Sequence, residues 1–303
     1  MGGKQMKPDT PLVTIGIPTY NRAAMLSRSI ESALCQDYSL IEVIISDNAS
    51  TDDTQKVCED FCEKDDRVKF VKQPTNIGAV ANFADVLKRA SGEYFMWLGD
   101  DDWIDASYVS HCMSLLIHNP DVALASGAPI YYRNGSKAYD GRMFDLLEGS
   151  WFVRVAIYYM KVTDNGTFYG IMRTEQLQQI VAPNIMGGDW HLIANIAATG
   201  KIRMSPAVSV HRELGGATTS YRQIAKSLGL PYIQAMFPMI TIAFGAWKNI
   251  IFDGEAYKKR DVFSRALLAG VVMCLVILKP VFRYAKHAKR LLGNCAIAKA
   301  ANK

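Results

Sequence analysis

Three consecutive aspartates are the residues of this chain best suited to hold a cation. Asp100, Asp101 and Asp102 follow the apolar run 93–98 after a single glycine. Adjacent carboxylates repel one another, and a bound cation offsets that repulsion. Hard oxygen ligands suit Mg²⁺ or Mn²⁺, which often enter a site together with a substrate diphosphate. The alternative is an acidic turn that caps the helix expected to begin near Asp105.

These aspartates need a scaffold, and the sequence predicts one of alternating strands and helices. Near-continuous apolar runs predict strands buried on both faces of a parallel sheet, at 12–17, 41–46, 68–71, 93–98 and 122–125. Segments with helical periodicity lie between them, at 23–35, 52–62, 80–90 and 106–118. Ser50 or Thr51 is the expected N-cap of the second helix. The pattern predicts a doubly wound α/β fold, in which ligands bind at the carboxyl edge of the strands.

After residue 125 the pattern becomes mixed. Segment 129–133 and the turn Asn134-Gly135 predict a hairpin. Further strands are predicted at 167–173, 201–204 and 208–212, helices at 151–160 and 190–198, and a loop at Gly215-Gly216.

Composition indicates a folded protein with a basic end. Of the 303 residues 50% are hydrophobic and 21% charged, which excludes a disordered chain. The net charge is +5, but residues 262–303 contain eight Lys and Arg and no acidic residue, so the rest carries 5 − 8 = −3. The six cysteines form no zinc pattern, which favours reduced thiols. Residues 1–10 lack the apolar core of a secretory signal, so the cytoplasm is the expected compartment.

The basic end also contains apolar runs at 237–247 and 266–278. A spanning helix needs about 20 apolar residues, so neither run predicts a transmembrane segment. The basic, aromatic segment 281–292 fits a helix on an anionic membrane surface. Helices that pack on the catalytic domain or on a second subunit are the alternatives.

Motifs at three strand ends resemble those of the GT-A fold, family 2 inverting glycosyltransferases. In that family the first strand ends in Pro-x-Tyr-Asn, the second in Asp-x-x-Ser-x-Asp and the fourth in the DxD metal motif. Here those places hold Pro18-Thr19-Tyr20-Asn21, Asp47-Asn48-Ala49-Ser50-Thr51-Asp52 and Asp100-Asp101-Asp102. The resemblance implies a GT-A catalytic domain, a Rossmann-like mixed sheet flanked by helices, over residues 10–215. Residues 216–303 then form a separate helical region.

The resemblance assigns a nucleotide-sugar site to the first three strand ends. Tyr20, beside Pro18 and Thr19, offers a flat surface for the base, with loop packing as the alternative. Asp47 accepts a hydrogen bond from the base imide, or forms only a local turn. Asn76 and Gly78 match the turn that borders the nucleotide. The family often places an arginine near this helix start, where Phe83 and Ala84 stand here, so the phosphate partner must come from elsewhere, with Arg22, Lys88 and Arg89 as candidates.

The metal motif can be aligned in two registers. Taken literally, Asp100 and Asp102 bind Mn²⁺ or Mg²⁺; aligned on Trp103, Asp101 is the ligand and Gly99 takes the place of the first aspartate. His211 and Arg212 match family positions near the diphosphate, where His211 ligates the metal and Arg212 pairs with phosphate oxygens. A structural role is the alternative for His211.

An inverting transferase also needs a general base opposite the departing diphosphate. The family places an aspartate at a helix start, often after a glutamate. Gly187-Gly188-Asp189 matches with glycine in place of that glutamate, so Asp189 is the expected base, with a helix N-cap as the alternative.

The predicted function is therefore metal-dependent, inverting transfer of a sugar, with UDP as the expected nucleotide, to a hydroxyl of a saccharide, lipid-linked or surface-polymer acceptor. This places the protein in cell-envelope polysaccharide synthesis, at the inner face of the membrane, as a monomer or a homo-oligomer. The alternative is a catalytically degenerate nucleotide-binding scaffold. The chain lacks the aromatic and basic groove pattern of a nucleic-acid-binding protein.

Overall fold

A nine-stranded mixed sheet flanked by helices forms the centre of the protein, which confirms the predicted α/β architecture. The computed structural model describes residues 10–180, 182–214 and 220–301, with side chains as far as Val281. In chain order the strands are β1 Val13–Thr19, β2 Ile41–Asp47, β3 Val68–Lys72, β4 Tyr94–Trp97, β5 Trp103–Ile104, β6 Val122–Arg133, β7 Ser136–Asp140, β8 Ile171–Arg173 and β9 Lys201–Leu214.

Helices of very different length surround the sheet. They are α1 Ala23–Leu34, α2 Thr54–Lys64, α3 Ala79–Arg89, α4 Tyr108–His118, α5 Trp151–Lys161, α6 Thr174–Gln178, α7 Gly188–Thr199, α8 Tyr221–Ser227, α9 Tyr232–Met236, α10 Pro238–Lys248, α11 Glu255–Lys258 and α12 Val262–Ala301. A 3₁₀ turn at Gly166–Tyr169 precedes β8, and a π turn at Asn249–Asp253 follows α10.

The strand order brings the predicted motifs to one edge. The order is β3-β2-β1-β4-β8-β6-β9-β5, and β3, β2, β1 and β4 run parallel. Their carboxyl ends therefore lie side by side. Beyond β4 the sheet changes character, because β8 is antiparallel to β4 and to β6. β5 pairs antiparallel with β9, which brings residues 103 and 104 beside residues 211 and 210.

Three predicted elements differ from the structure. The strand expected at 167–173 begins only at Ile171, because the 3₁₀ turn places Phe168 on the Trp97 ring, with centroids 4.9 Å apart. The strands predicted at 201–204 and 208–212 are one strand, β9. A bulge at 205–208, which contains Pro206, interrupts the strand pattern between them. Helix α2 begins at Thr54, and its N-cap is Asp53 rather than Ser50 or Thr51. The loop predicted at Gly215-Gly216 lies outside the described residues.

The apolar run of 266–278 is part of a much longer helix. Arg265 and Lys279 flank this run in the sequence, and both side chains bond to backbone carbonyls of the protein: Arg265 to Ile250 and Lys279 to Tyr159. The outer face of α12 is left apolar and exposed, for example at Phe263. Among the described helices, by length and composition alone, Val262–Val281 could cross a membrane; its mean hydropathy is 2.1. Side chains of the predicted surface segment 281–292 lie, beyond Val281, outside the described residues.

Candidate active site

The loops after β1 and β2 are tied together by hydrogen bonds. Backbone N–H of Asn21 donates to Ser50 Oγ at 2.8 Å, and Thr51 N–H donates to Asn21 Oδ1 at 2.8 Å. Asn21 has a φ of 54°, a conformation that asparagine tolerates better than most residues. The preceding Tyr20 is 45% exposed, so its ring is available to a ligand base. Pro18 and Thr19 are the last two residues of β1.

Asp47 ends β2 and is fully buried. Its Oδ1 accepts hydrogen bonds from the backbone N–H and the hydroxyl of Ser50. Its Oδ2 has no hydrogen-bond partner among the described residues. Buried polar atoms are nearly always satisfied, so this oxygen is suited to receive a donor from a ligand.

The turn after β3 is braced by Asn48. The Asn48 side chain donates to Asn76 Oδ1 at 3.0 Å and accepts from Ile77 N–H at 2.8 Å, and Gly78 N–H also donates to Asn76 Oδ1. Gly78 has a φ of 86°, which explains the glycine. The first three strand ends therefore form one connected rim.

Asp100 and Asp101 share one guanidinium. Arg22 Nε lies 3.8 Å from Asp100 Oδ1 and Arg22 Nη2 lies 3.9 Å from Asp101 Oδ2. Burial and the charge of Asp101 raise the pKa of Asp100 to about 7, against the charge of Arg22. Burial also raises the pKa of Asp101. Of the three cations considered for the missing arginine, the structure brings Arg22 to the aspartates, while Arg89 pairs with Asp85.

Asp102 points away from that pair into the protein. It is 2% exposed, its Oδ1 accepts from Glu213 N–H at 2.9 Å, and its Oδ2 lies 3.6 Å from Arg212 Nε. Burial raises the pKa of Asp102 to about 6, against the charge of Arg212. A Cβ on Gly99 would lie 2.6 Å from Asp102 Oδ2, so glycine at position 99 makes room for this carboxylate.

Arg212 lies between two tyrosines that the sequence analysis did not single out. Its guanidinium carbon is 4.6 Å from the Tyr169 ring centroid and 5.3 Å from that of Tyr131. Nη1 donates to the Tyr131 hydroxyl at 3.0 Å and to the Asp164 carbonyl at 3.2 Å. Both tyrosines lie in apolar segments, and no sequence signal distinguishes them from core residues.

Asp189 lies in the first turn of α7 and is held by Asn165. The Asn165 amide donates to Asp189 Oδ2 at 2.8 Å, while Asn165 Oδ1 accepts from the hydroxyls of Tyr158 and Thr167. The Asp189 side chain is exposed to the site, while desolvation by the surrounding protein raises its pKa, against this hydrogen bond and against the charge of Arg212. Arg212 is thus electrostatically coupled to both Asp102 and Asp189. The Asn165-Gly166 pair signals a turn in the sequence, but nothing there links it to Asp189.

Local backbone structure explains why the two residues before Asp189 are glycines. Gly187 has a φ of 77°, and a Cβ on Gly188 would lie 2.2 Å from the carbonyl oxygen of Pro183. This position has no space for the glutamate that the family often carries. Gly187 occupies the N-cap position, so Asp189 lies beyond it, and the N-cap forms no side-chain hydrogen bond.

The structure does not bring His211 to the three aspartates as a ligand. Its Nε2 lies 2.7 Å from Asp105 Oδ1 and its Nδ1 lies 3.2 Å from the Tyr132 hydroxyl. Its ring stacks on Trp103 with centroids 5.0 Å apart. Both ring nitrogens therefore have protein partners.

The carboxylates of Asp100 and Asp101 fit a divalent cation that is shared with a diphosphate. They face a common point, now occupied by the Arg22 guanidinium, and are 15% and 18% exposed. Among the side chains that the structure describes, which end at Val281, no group of three or more His, Cys, Asp or Glu is placed to hold a metal ion. Two carboxylates leave most positions of an octahedral ion to water and phosphate oxygens, which is the usual Mg²⁺ arrangement.

Comparison with known proteins gives a consistent family. Residues 14–181 match the model of glycosyl transferase family 2. Glycosyltransferase GlyA of Streptococcus pneumoniae is 27% identical over 179 residues, which are 58% of this chain and 24% of the relative. The GalNAc(5)-diNAcBac-PP-undecaprenol beta-1,3-glucosyltransferase of Campylobacter jejuni is 36% identical over 104 residues, 34% of each chain. The matches thus span 24% and 34% of the length of these two relatives.

Solved structures show the same fold. The crystal structure of S. aureus TarS 1-349 has a TM-score of 0.60 at 18% identity, covering 86% of this chain and 70% of that one. The mannosyltransferase PcManGT from Pyrobaculum calidifontis, in complex with GDP-Man and Mn²⁺, has a TM-score of 0.57 at 17% identity, covering 95% and 80%. At these identities the likeness concerns the fold alone, and it confirms the expected GT-A architecture.

Proposed function

This chain belongs to glycosyl transferase family 2, and from that premise we propose that it is an inverting, metal-dependent transferase that moves a sugar from a nucleoside diphosphate to a saccharide hydroxyl. The observation that carries the proposal is the position of Arg212. Its guanidinium pairs with Asp102 of the aspartate cluster and donates to the carbonyl of Asp164, whose neighbour Asn165 holds Asp189. The proposed base and the proposed diphosphate site are therefore close enough for their charges to interact.

The donor lies along the rim of the first three strand ends. Its base stacks on the exposed Tyr20 ring, and its imide N–H donates to Asp47 Oδ2, the buried oxygen without a partner among the described residues. Uracil and thymine carry such an imide, which favours UDP over CDP or GDP. Asn76 and Gly78 border the nucleotide from the third loop, and Arg22 faces its phosphates.

The reaction is a single displacement at the anomeric carbon. The acceptor hydroxyl loses its proton to Asp189 as its oxygen forms the bond to that carbon. The bond to the diphosphate oxygen breaks on the opposite face, and the nucleoside diphosphate leaves with the electron pair. Arg212, held between two tyrosines, supplies a fixed positive charge near the departing diphosphate.

Asp100 and Asp101 are the residues that would hold the cation, Mn²⁺ or Mg²⁺. Such an ion supplies charge that stabilises the departing diphosphate. Arg22 lies 3.8 and 3.9 Å from these two carboxylates, so its guanidinium is also positioned to pair with the donor phosphates.

The acceptor is a lipid-linked saccharide of the cell envelope. Two features support this: the Campylobacter relative acts, by its name, on an undecaprenol-linked saccharide, and the outer face of α12 is apolar. The basic residues of 262–303 suit anionic lipid headgroups, so the protein works at the cytoplasmic face of the membrane.

Thermal stabilisation of the full chain by UDP, GDP, TDP and CDP, with and without Mn²⁺, tests the donor site. We expect a shift with UDP that requires Mn²⁺ and is lost in Asp101→Asn but kept in Asp66→Asn, an exposed aspartate. No shift with any nucleotide overturns the proposal. A metal-dependent shift without release of UDP from any UDP-sugar and saccharide acceptor would instead favour the nucleotide-binding scaffold.

A further inference from the structure

A cavity of about 560 Å³ opens beside the proposed base. Trp190, the residue after Asp189, forms one wall, and Phe237 and Ile240 from the start of α10 form another. Lys279 and Pro280 of α12 complete the lining. The volume lies in the range of small-ligand sites, and the lining is mostly aromatic and aliphatic.

One charged group lines this apolar cavity. The Lys279 side chain is 8% exposed, its Nζ donates to the Tyr159 carbonyl at 2.7 Å, and it lies 4.6 Å from the Trp190 ring centroid. An ammonium held at a fixed place in an apolar wall favours a ligand that carries an anionic group beside an apolar chain.

The cavity lies at one end of the apolar part of α12. Val262–Val281 ends two residues after Lys279, and its outer side chains are exposed, as at Leu267 and Ile277. Side chains of the cavity lining are exposed at the same end, among them Phe237 at 49% and Ile240 at 56%. With α12 against or in a bilayer, the cavity is then at headgroup depth, where a lipid can reach the active site without leaving the membrane.

We infer that this cavity binds the phosphate-proximal part of a lipid-linked acceptor, an amphiphile with a diphosphate head and an isoprenoid-type chain. The inference rests on the proposed function, because it uses Asp189 as the base that the acceptor must reach. The diphosphate lies near Lys279, the first part of the chain lies against Trp190 and Phe237, and the rest follows the exposed face of α12 into the bilayer.

Photolabelling tests this with a defined probe. The full chain in nanodiscs of phosphatidylcholine and anionic phosphatidylglycerol is irradiated with a benzophenone-bearing geranyl diphosphate, and labelled peptides are identified by mass spectrometry. We expect labels on the peptides that contain Trp190 or 237–240, and competition by farnesyl diphosphate but not by inorganic diphosphate. Ile240→Trp narrows the mouth and should lower this labelling at least fivefold. Phe244→Trp, one turn further along α10 and also exposed, is the matched control and should leave it unchanged.

Two results would overturn the inference. One is labelling spread along α12 that Ile240→Trp leaves unchanged, since the probe then reports only contact with the bilayer. The other is labelling that occurs when a nanodisc holds two copies of the chain but is lost when it holds one, since a second copy would then form the site. Nucleotide stabilisation is measured on the same samples. If UDP binds but the cavity is not labelled, only this inference fails; if the cavity is labelled but no nucleotide binds, the donor proposal fails instead.

Discussion

The Asn165 side-chain amide donates a hydrogen bond to Asp189 Oδ2 over 2.8 Å, across 24 residues of sequence. Asn165 is itself fixed, because it has a φ of 49° and its Oδ1 accepts hydroxyl hydrogen bonds from Tyr158 and Thr167. The amide can therefore present only its N–H to the carboxylate. This contact stabilises the ionised form of Asp189, which is the form that a general base requires.

Replacing Asn165 by alanine should raise the pKa of Asp189. Desolvation by the surrounding protein already raises this pKa and the amide hydrogen bond opposes that shift, so loss of the hydrogen bond leaves less ionised base at a given pH. The acidic limb of the pH–rate profile moves to higher pH. Below the midpoint we expect a roughly tenfold lower rate, for a hydrogen bond to a charged group worth about 1.5 kcal/mol.

The profile is measured as donor-dependent release of nucleoside diphosphate between pH 5 and 9. Asn184→Ala, which removes an exposed side chain bonded to the Leu228 carbonyl, is the control. An unchanged acidic limb with an equal loss of rate at all pH values would mean that Asn165 acts only on the fold.

Much of the rim was predictable from sequence because it depends on local order. Parallel strands carry the residue after each strand to the same edge, so Tyr20, Asp47 and Asp100 could be placed together from strand order alone. Asn165, Tyr131 and Tyr169 could not, because their roles depend on contacts between distant segments. The inward turn of Asp102 was equally unpredictable, since three adjacent aspartates look alike until Arg212 and Glu213 are placed.

The inward orientation of the Asp102 side chain distinguishes the two registers in which the metal motif can be aligned. Asp102→Asn removes the charge of a carboxylate that is 3% exposed and pairs with Arg212, which should lower the free energy of unfolding by about 3 kcal/mol. Asp101→Asn, at a partly exposed side chain, should change it by less than about 1 kcal/mol yet remove the metal dependence of nucleotide binding. Urea unfolding of both variants gives the comparison. A fully stable Asp102→Asn that no longer responds to Mn²⁺ would restore the register with Asp100 and Asp102.

Asp47→Asn should change which base is preferred. The asparagine can keep the contact from Ser50, but it can present an N–H where Asp47 Oδ2 now lies without a partner among the described residues. The imide N–H of uracil would then face the N–H of the asparagine, and two donors cannot bond. The ring nitrogen of cytosine at the same position is an acceptor and can receive that N–H. Calorimetry with UDP and CDP should show at least a tenfold loss for UDP and a smaller change for CDP. Asp53→Asn, at an N-cap without a side-chain hydrogen bond, is the control. Unchanged UDP affinity would place the base elsewhere.

Glu42 lies in β2, away from the proposed active site. Its replacement should therefore change the free energy of unfolding rather than the activity. It is 4% exposed and accepts from Lys69 Nζ at 2.6 Å and from Ser91 N–H at 2.8 Å. Burial alone would raise its pKa, but the hydrogen bonds from Lys69, Thr14 and Ser91 outweigh burial and lower it to about 2. The carboxylate therefore stabilises the fold above its unfolded pKa near 4.5, and this contribution is lost as pH falls toward 2.

Glu42→Gln should accordingly cost about 2–3 kcal/mol at pH 7 and less at pH 4. Denaturant unfolding at the two pH values measures the difference, with Glu31→Gln, an exposed residue of α1, as the control. A loss that does not vary with pH would mean that the charge of Glu42 contributes nothing and that packing alone is affected.

The exposed face of α12 should bind membranes, and two of its side chains offer a direct test. Phe263 and Leu267 are 79% and 53% exposed and lie one turn apart. Burying each in a bilayer contributes about 1.5–3 kcal/mol, so the double change to aspartate should weaken vesicle binding roughly a hundredfold or more. Sedimentation with vesicles containing anionic lipid measures the bound fraction. Ile117→Asp on α4, also half-exposed, should leave binding intact.

Because the basic residues of 262–303 add an electrostatic contribution, binding should also weaken on neutral vesicles and at high salt. If the double variant binds vesicles like the parent chain, the apolar face of α12 does not contact the bilayer and a second copy of the chain is its better partner.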